Sequence, residues 1–253
     1  MSHPNSAETD RELSLIDHLL ELRSRLIKAL LAVVLCMIAM VPFARQLYAR
    51  VSEPLLSALP EGASMIAIDV TSPVFAPFKL VMILALLVAM PFVIYQAWAF
   101  IAPGLYKHEK RIAKPLLLAA TALFYIGCMF AYFVVFPVIF SFIAKMAPDG
   151  VAVMTDINRY LDFILVLFLA FGLSFEVPVI TVALVAIGVL TPDMLAQARG
   201  YVVVGAFFIA MLITPPDVIS QTLLALPVWL LYELGIVFSR LLVRPTEQTL
   251  ERE

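Results

Sequence analysis

The segment FKLVMILALLVAMPFVIYQAWAF, residues 78–100, is apolar over almost its whole length, with one charged residue, Lys79, near its start. The hydrocarbon core of a bilayer is about 30 Å thick and needs roughly 20 apolar residues to cross it as a helix. The segment shows no strict alternation of polar and apolar residues, so a helix is favoured over a barrel strand. It therefore predicts a transmembrane helix.

Five other segments come near this length, at about 26–44, 116–140, 160–187, 200–214 and 221–239. The chain is 63% hydrophobic and 14% charged, with a mean hydropathy of +1.01, which lies outside the usual range for soluble proteins. These features predict an all-α polytopic membrane protein with six transmembrane helices. The helices belong to one integral membrane domain, residues 1–253, which has polar tails at 1–12 and 245–253. The last two segments are short, so we expect them to thin the bilayer or leave a hollow.

The positions of the basic residues predict the orientation of the spans. Lysine and arginine concentrate before the first span, in the connection 102–111 and after the last span, whereas the other connections are poorer in them. Short basic loops stay on the cytoplasmic side. We therefore expect both termini and the connection 102–111 to be cytoplasmic. Within the outer connection 45–77, the stretch LYARVSEPLLSALP has helical spacing and is expected to lie along the interface.

Charge and motifs exclude several functional classes. The net charge is −2, which leaves no broad basic face for a nucleic acid. The chain has no phosphate-binding glycine loop, no H-E-x-x-H and no cysteine or histidine pair at metal spacing. We therefore predict no cofactor, no metal site and no catalytic residues, so the protein is not expected to be an enzyme. Cys36 and Cys128 lie inside predicted spans and are expected to act as small apolar side chains.

Two acids lie just cytoplasmic of predicted spans. Glu21, in LIDHLLELRSRL, is four residues from Arg25 and can form an ordinary surface ion pair on one helix face. Glu109, in APGLYKHEKR, can simply neutralise part of a basic loop. Alternatively, the fold brings the two carboxylates to one surface, where they would suit a ligand with two guanidinium groups, because carboxylates bind guanidinium in a bidentate, charge-assisted way.

Three other acids lie in or beside the later spans. Glu176 falls near the middle of the fourth span, where Pro178 should kink the helix. A carboxyl group in lipid is expected to be neutral unless it faces a wet cavity, so Glu176 either bonds another helix or lines a polar hollow. Asp217, in the TPPD turn, either caps the sixth helix or has a functional role. The sequence assigns no role to Glu233.

Several motifs together resemble the TatC family, the large polytopic subunit of the twin-arginine protein translocase. They extend over most of the chain, from about residue 13 to residue 244. The motifs are HLLELRSRL (18–26), MIAIDVTSPVFAPFKL (65–80), YQAWAFIAPGLYKHEKR (95–111), FYIGCMFAYFVVFPVIFSF (124–142), FGLSFEVPV (171–179) and TPPDVISQTLLALPVWLLYELG (214–235).

The resemblance implies a concave, cupped membrane protein in the cytoplasmic (inner) membrane. It also implies a function, which is to bind the twin-arginine signal peptides of folded proteins and to organise their export with the proton motive force. The implied partners are the single-span subunits TatB and TatA, other TatC copies and membrane lipids. We expect TatB against the fifth and sixth helices.

The same resemblance assigns roles to particular residues. It implies that the signal-peptide site comprises Glu21, Glu109, Phe100, Arg23 and Lys107. It also implies that Glu176 is a polar group of the concave membrane face, and that Pro54 and Asp217 belong to the outer loop and cap. The alternative function is a proton-coupled small-solute transporter with Glu176 as the proton carrier. That class predicts inverted repeats, which the unequal loops do not show.

Overall fold

The computed structural model describes residues 6–58, 65–101, 110–146, 154–213 and 218–242. Almost all of these residues are helical. The helices are α1 (Ser6–Met40), α2 (Ala44–Ala58), α3 (Ser72–Ile101), α4 (Lys110–Phe130), α5 (Phe136–Met146), α6 (Ile157–Ser174), α7 (Val177–Ala186), α8 (Pro192–Gln197), α9 (Arg199–Ile213) and α10 (Val218–Leu242). A 3₁₀ turn, Val41–Phe43, joins α1 to α2, and a π-helical segment, Ala131–Val135, joins α4 to α5.

The predicted apolar segments all fall on helices. Five helical stretches are long and apolar enough to cross a membrane: Leu19–Glu53, Ser72–Phe100, Lys114–Phe142, Ile157–Ala186 and Gln221–Leu241. The fifth predicted segment corresponds to α9, a shorter apolar helix of 15 residues. At 1.5 Å per residue α9 is roughly 22 Å long, so the prediction of a short fifth helix is confirmed.

The prediction that the sixth helix is also short is wrong. α10 has 25 residues, which corresponds to roughly 37 Å. The sequence estimate covered residues 221–239. The helix extends it by about one turn at each end, mainly through the apolar residues Val218, Ile219, Leu241 and Leu242. Arg240 does not end the helix, because a long charged side chain can reach the headgroup region from within a helix.

Opposite ends of the helices carry different connecting elements. At one end, strands β1 (Met65–Ile66) and β2 (Thr155–Asp156) pair in parallel beside α2. At the other end, α8 joins α7 to α9. Because successive spans reverse direction, the beginning of α1 and the end of α3 lie at the same end as α8. We call these the strand end and the α8 end.

Asp156 organises the strand end. Its carboxylate caps α6 by accepting hydrogen bonds from the Asn158 and Arg159 amides, and it also accepts one from the Ile68 amide. The backbone hydrogen bonds from Arg159 and Ile68 hold the pKa of Asp156 below its usual value. One side chain thus connects the start of α6 to the loop after β1.

An aromatic core lies where α4, the π-helical segment and α5 pack on α6. Rings from these elements contact edge to face, as in Phe136 and Phe168, whose centroids are 5.0 Å apart. Its fully buried side chains include Phe124, Phe136 and Phe171. Such edge-to-face pairs add to the stabilisation from burial alone.

The fourth span is broken at the predicted position. α6 ends at Ser174, α7 begins at Val177, and Pro178 lies in the first turn of α7. Proline is tolerated there because the first-turn amides of a helix have no partner within the helix. Gly188, two residues after the end of α7, has a φ of 81°, a conformation that favours glycine and stops the helix. The break places Glu176 between two helices.

Candidate functional site

Glu21 lies near the start of the first span and binds the guanidinium of Arg25. The Arg25 Nε and one of its terminal nitrogens donate to the same carboxylate oxygen, Oε1, at 3.0 and 2.5 Å. The Glu21 side chain is 37% exposed. The predicted i,i+4 pair is therefore confirmed.

The other residues assigned to this site fall into two groups. Arg23 is exposed on α1, and Phe100 is half-buried on α3. Since α1 packs mainly against α3 and consecutive spans are antiparallel, the start of α1 and the end of α3 lie side by side. Lys107 and Glu109 lie outside the described residues, between Ile101 at the end of α3 and Lys110 at the start of α4. The pairing of Glu21 with Glu109 thus stays a prediction.

Glu176 is buried between α6 and α7, with 8% of its surface exposed. Its Oε1 atom has no hydrogen-bond partner among the described residues. Its backbone groups are satisfied, because its amide donates to Leu173 O at 3.1 Å and its carbonyl accepts from the Ile180 amide at 2.9 Å. Burying a polar atom without a partner costs free energy. The carboxyl group is therefore not explained by the stability of the described part of the chain.

The two residues assigned to the outer loop and cap are less informative. Pro54 lies within the range of α2 at the strand end, so the predicted stretch is helical as far as Ala58, and its position along the interface stays a prediction. Asp217 lies outside the described residues, immediately before α10, and the choice between capping and function stays open. Within the described ranges, no three His, Cys, Asp or Glu side chains lie together in a way that could hold a metal ion.

Two ion pairs at the α8 end were not predicted. Arg199, at the start of α9, binds Glu233 through two nitrogens, at 2.6 and 2.8 Å. Arg240 binds Asp193 of α8 at 3.3 Å. Topology alone could have suggested the first pair, since α9 begins and α10 ends at the α8 end. The register between the two helices, which decides the partner, is not visible in the sequence.

One face of α9 has no described partner. Tyr201, Val204 and Leu212 are 83%, 69% and 70% exposed. Beyond the adjacent backbone of α9 itself, Gly200 and Gly205 have no described atom within 4 Å of where a Cβ would stand. α9 packs mainly against α10, so the rest of this apolar surface is available to lipid or to another helix.

Comparisons with known proteins point to one family. The family model for "Sec-independent protein translocase protein (TatC)" matches residues 17–227. A protein of that name from Azotobacter chroococcum mcd 1 is 55% identical over 91% of each chain. The protein of the same name from Escherichia coli K12 is 54% identical over 90% of this chain and 89% of its own. One from Aquifex aeolicus is 37% identical over 92% of this chain and 98% of its own.

Solved structures agree with these relatives. A crystal structure described as the twin-arginine translocase receptor TatC superposes with a TM-score of 0.80 at 38% identity, covering 90% of this chain and all of the other. A second structure of TatC in DDM gives a TM-score of 0.81. The helical fold described above is therefore the fold of those proteins.

Proposed function

Because this chain belongs to the TatC family and is a component of a Sec-independent protein translocase, we propose that it is the subunit that binds twin-arginine signal peptides. In this proposal it organises the export of folded proteins across the cytoplasmic membrane, driven by the proton motive force. The observation that carries the proposal is the partly exposed Glu21 carboxylate, which already holds a guanidinium in this structure.

The binding site consists of two carboxylates, one for each arginine of the signal. Glu21 supplies the first, and Glu109 supplies the second from the connection between α3 and α4. Each charge-assisted contact is worth roughly 1.5–3 kcal/mol. An arriving arginine must compete with Arg25 for Glu21. Ion pairs at i,i+4 within one helix stabilise it by only about 0.2–0.5 kcal/mol, which is less than a charge-assisted contact with the signal.

The remaining residues of the site shape the approach of the peptide. Phe100 offers an apolar and π-rich surface beside the carboxylates, on which a guanidinium can stack. Arg23 and Lys107 add positive charge around the acids and so weaken their general attraction for cations. Binding then depends on the geometry of the two arginines and not on positive charge alone. The concave membrane face, with Glu176, then receives the apolar part of the signal.

The exposed face of α9 supports the proposed partners. A short apolar helix with glycines and exposed large side chains allows a single-span helix to approach closely. We place TatB against α9 and α10, with TatA and further copies of this chain completing the complex. Both termini and the α8 end face the cytoplasm in this arrangement, following the positive-inside rule.

The test of this proposal is photocrosslinking from positions 21 and 109 to a twin-arginine signal peptide, with matched glutamine variants. Glu21→Gln and Glu109→Gln are each expected to lower crosslinking and the export of a folded reporter by at least about tenfold. Glu53→Gln changes an exposed acid on α2, at the strand end, and is expected to leave both readouts unchanged. A signal with two lysines should bind as weakly as the variants, because lysine cannot make the bidentate contact.

Two outcomes would contradict the proposal. If the double variant crosslinks to the twin-arginine signal as the wild type does, the carboxylates are not the binding site. If the protein instead takes up a small solute in a way that requires Glu176, the transporter alternative is correct. Immunoblots must show equal amounts of each variant in the membrane.

A further inference from the structure

A groove lies at the strand end, where the end of α1 turns into α2 opposite the first turns of α3. Its volume is about 600 Å³. The residues that line it include Val41, Pro42, Arg45, Val74, Phe75 and Phe78. The other lining residues are Ala44, Gln46, Pro73 and Pro77.

The walls of the groove are apolar and open. Val74 and Phe75 are 72% and 62% exposed, and Val41 and Phe78 are also exposed. The 3₁₀ turn that carries Val41 and Pro42 separates the end of α1 from the start of α2. In a membrane-embedded chain an open apolar surface of this kind lies against acyl chains, so these walls suit a flexible hydrocarbon chain.

The rim of the groove carries a cation. Arg45 is exposed, and among the described residues no acid pairs with it. Gln46 beside it adds a hydrogen-bond donor. Lys79, a cation in the second turn of α3, is by contrast paired with Asp162. Neither α2 nor α3 has an acidic residue in its first turn, and Asp69, three residues before α3, does not line the groove. The described lining therefore carries a positive charge, which favours an anion.

The amides at the start of α3 do not provide an anion site. The Val74 and Phe75 amides both donate to Thr71 O at 3.1 Å, and Pro73 has no amide hydrogen. An anion at this corner must therefore be held by side chains. Arg45 suits a phosphate, because its planar group makes two parallel hydrogen bonds to phosphate oxygens.

The groove also lies at the depth of lipid headgroups. The first predicted span, residues 26–44, is roughly 28 Å long as a helix, which matches the hydrocarbon core of about 30 Å. Arg45, just beyond it, is level with phosphates, while Phe75 and Phe78 on α3 reach toward the acyl chains. The cation at phosphate depth and the apolar wall below it thus match the polar head and the apolar chain of one amphiphilic molecule.

We propose that this groove binds one phospholipid, whose phosphate contacts Arg45 and Gln46 and whose acyl chain lies along Val74, Phe75 and Phe78. The inference depends only on the chain being embedded in a membrane, and it is independent of signal-peptide binding. It places a lipid at the corner where α1, the helix that carries Glu21, meets α2 and α3.

The experiment uses the full-length protein in micelles of an uncharged maltoside detergent, which contains no phosphate. The probe is a phosphatidylglycerol with a photoreactive diazirine in one acyl chain, and labelled peptides are mapped by mass spectrometry. We expect labelling within residues 41–46 and 73–78. Arg45→Gln should lower it about fivefold, the effect of one cation near a lipid phosphate.

Matched controls separate the possible causes. Arg50→Gln removes another exposed cation of α2 that does not line the groove, and it should change labelling less than twofold. A diacylglycerol with the same diazirine chain but no phosphate should label the wild type about fivefold less, and Arg45→Gln should not lower that further. Glycerol phosphate, which has the headgroup without chains, should not block labelling at the probe's concentration.

Each opposite result overturns the proposal. Equal labelling of Arg45→Gln and wild type removes the role of the cation. An equal fall in Arg50→Gln means that general surface charge attracts the probe. Equal labelling by the phosphate-free lipid means that only the chain is recognised, and blocking by glycerol phosphate means that the site binds a free phosphate.

Discussion

Glu176 is, among the described residues, the one whose buried side chain has a polar atom without a hydrogen-bond partner. Sequence reasoning left two roles open for it, a bond to another helix or a place in a polar hollow. No described residue supplies the bond at Oε1. A buried group that is not satisfied costs about 1–3 kcal/mol, so its retention is better explained by function than by stability.

The first prediction concerns this residue. Glu176→Met keeps a similar length without the polar atoms, so the free energy of unfolding in detergent should rise by about 1 kcal/mol. Export of a folded reporter should nevertheless fall. Glu176→Gln should lose less export, because the amide keeps hydrogen-bonding capacity. A fall in the stability of Glu176→Met would mean that the carboxyl group has a stabilising partner.

At the scale of elements, α7 and α10 pack closely through a glycine. A Cβ on Gly235 would lie 2.1 Å from Thr181 Oγ1 and 3.0 Å from the Cα of Pro178. The Thr181 hydroxyl itself donates to Pro178 O at 2.8 Å, within the first turn of α7. The close contact therefore depends on the local geometry that the proline imposes after the break at Glu176.

The second prediction compares two glycines in neighbouring helices. Gly235→Ala should lower the free energy of unfolding by about 1–3 kcal/mol, because the added methyl group forces α10 away from α7. Gly205→Ala, on the exposed face of α9, has no described atom within 4 Å of the new Cβ and should be neutral or stabilising by about 0.5–1 kcal/mol. Thermal unfolding of both variants measures this, and similar effects would disprove the packing argument.

At the scale of the whole molecule, long-range bonds at the strand end connect the two halves of the chain. The Tyr160 hydroxyl donates to Val51 O at 2.8 Å, the Lys79 ammonium pairs with Asp162, and the Asp156 carboxylate accepts from the Ile68 amide at 3.1 Å. All three bring elements after α5 against elements before α4. Polar contacts thus connect the two halves of the chain at the strand end, while apolar packing holds the spans together.

The third prediction is a pH dependence of this connection. The folded-state pKa of Asp156 is lowered, so its contribution to stability is present above its unfolded pKa of about 3.9 and is lost as the pH falls through the folded pKa. Asp156→Asn keeps one acceptor oxygen but cannot titrate. It should melt below the wild type at pH 7, and the difference should shrink as the pH falls below about 4.

A melting-temperature difference that stayed constant from pH 7 to pH 3 would contradict this prediction. Asp156→Ala serves as the second variant, since it removes the cap as well as the charge. It should melt below Asp156→Asn at neutral pH, because it leaves the Asn158 and Arg159 amides without an acceptor.

Local features of the protein were predictable from the amino-acid order. The apolar helices, the short α9, the break before Pro178 and the pair of Glu21 with Arg25 were all predicted. Each depends on residues within a few positions of one another, or on the transfer of about 20 residues into lipid, so neighbouring side chains suffice to decide it.

Only the tertiary structure decided which distant residues meet. The partner of Glu233, the burial of Glu176, the pairing of β1 with β2 and the groove beside Arg45 all depend on the register between helices. Helices that are apolar on every side can pack in many registers with similar hydrophobic gain, because hydrophobic burial has no direction. The sequence by itself therefore determined a helical membrane protein, and side-chain packing decided where its polar groups came together.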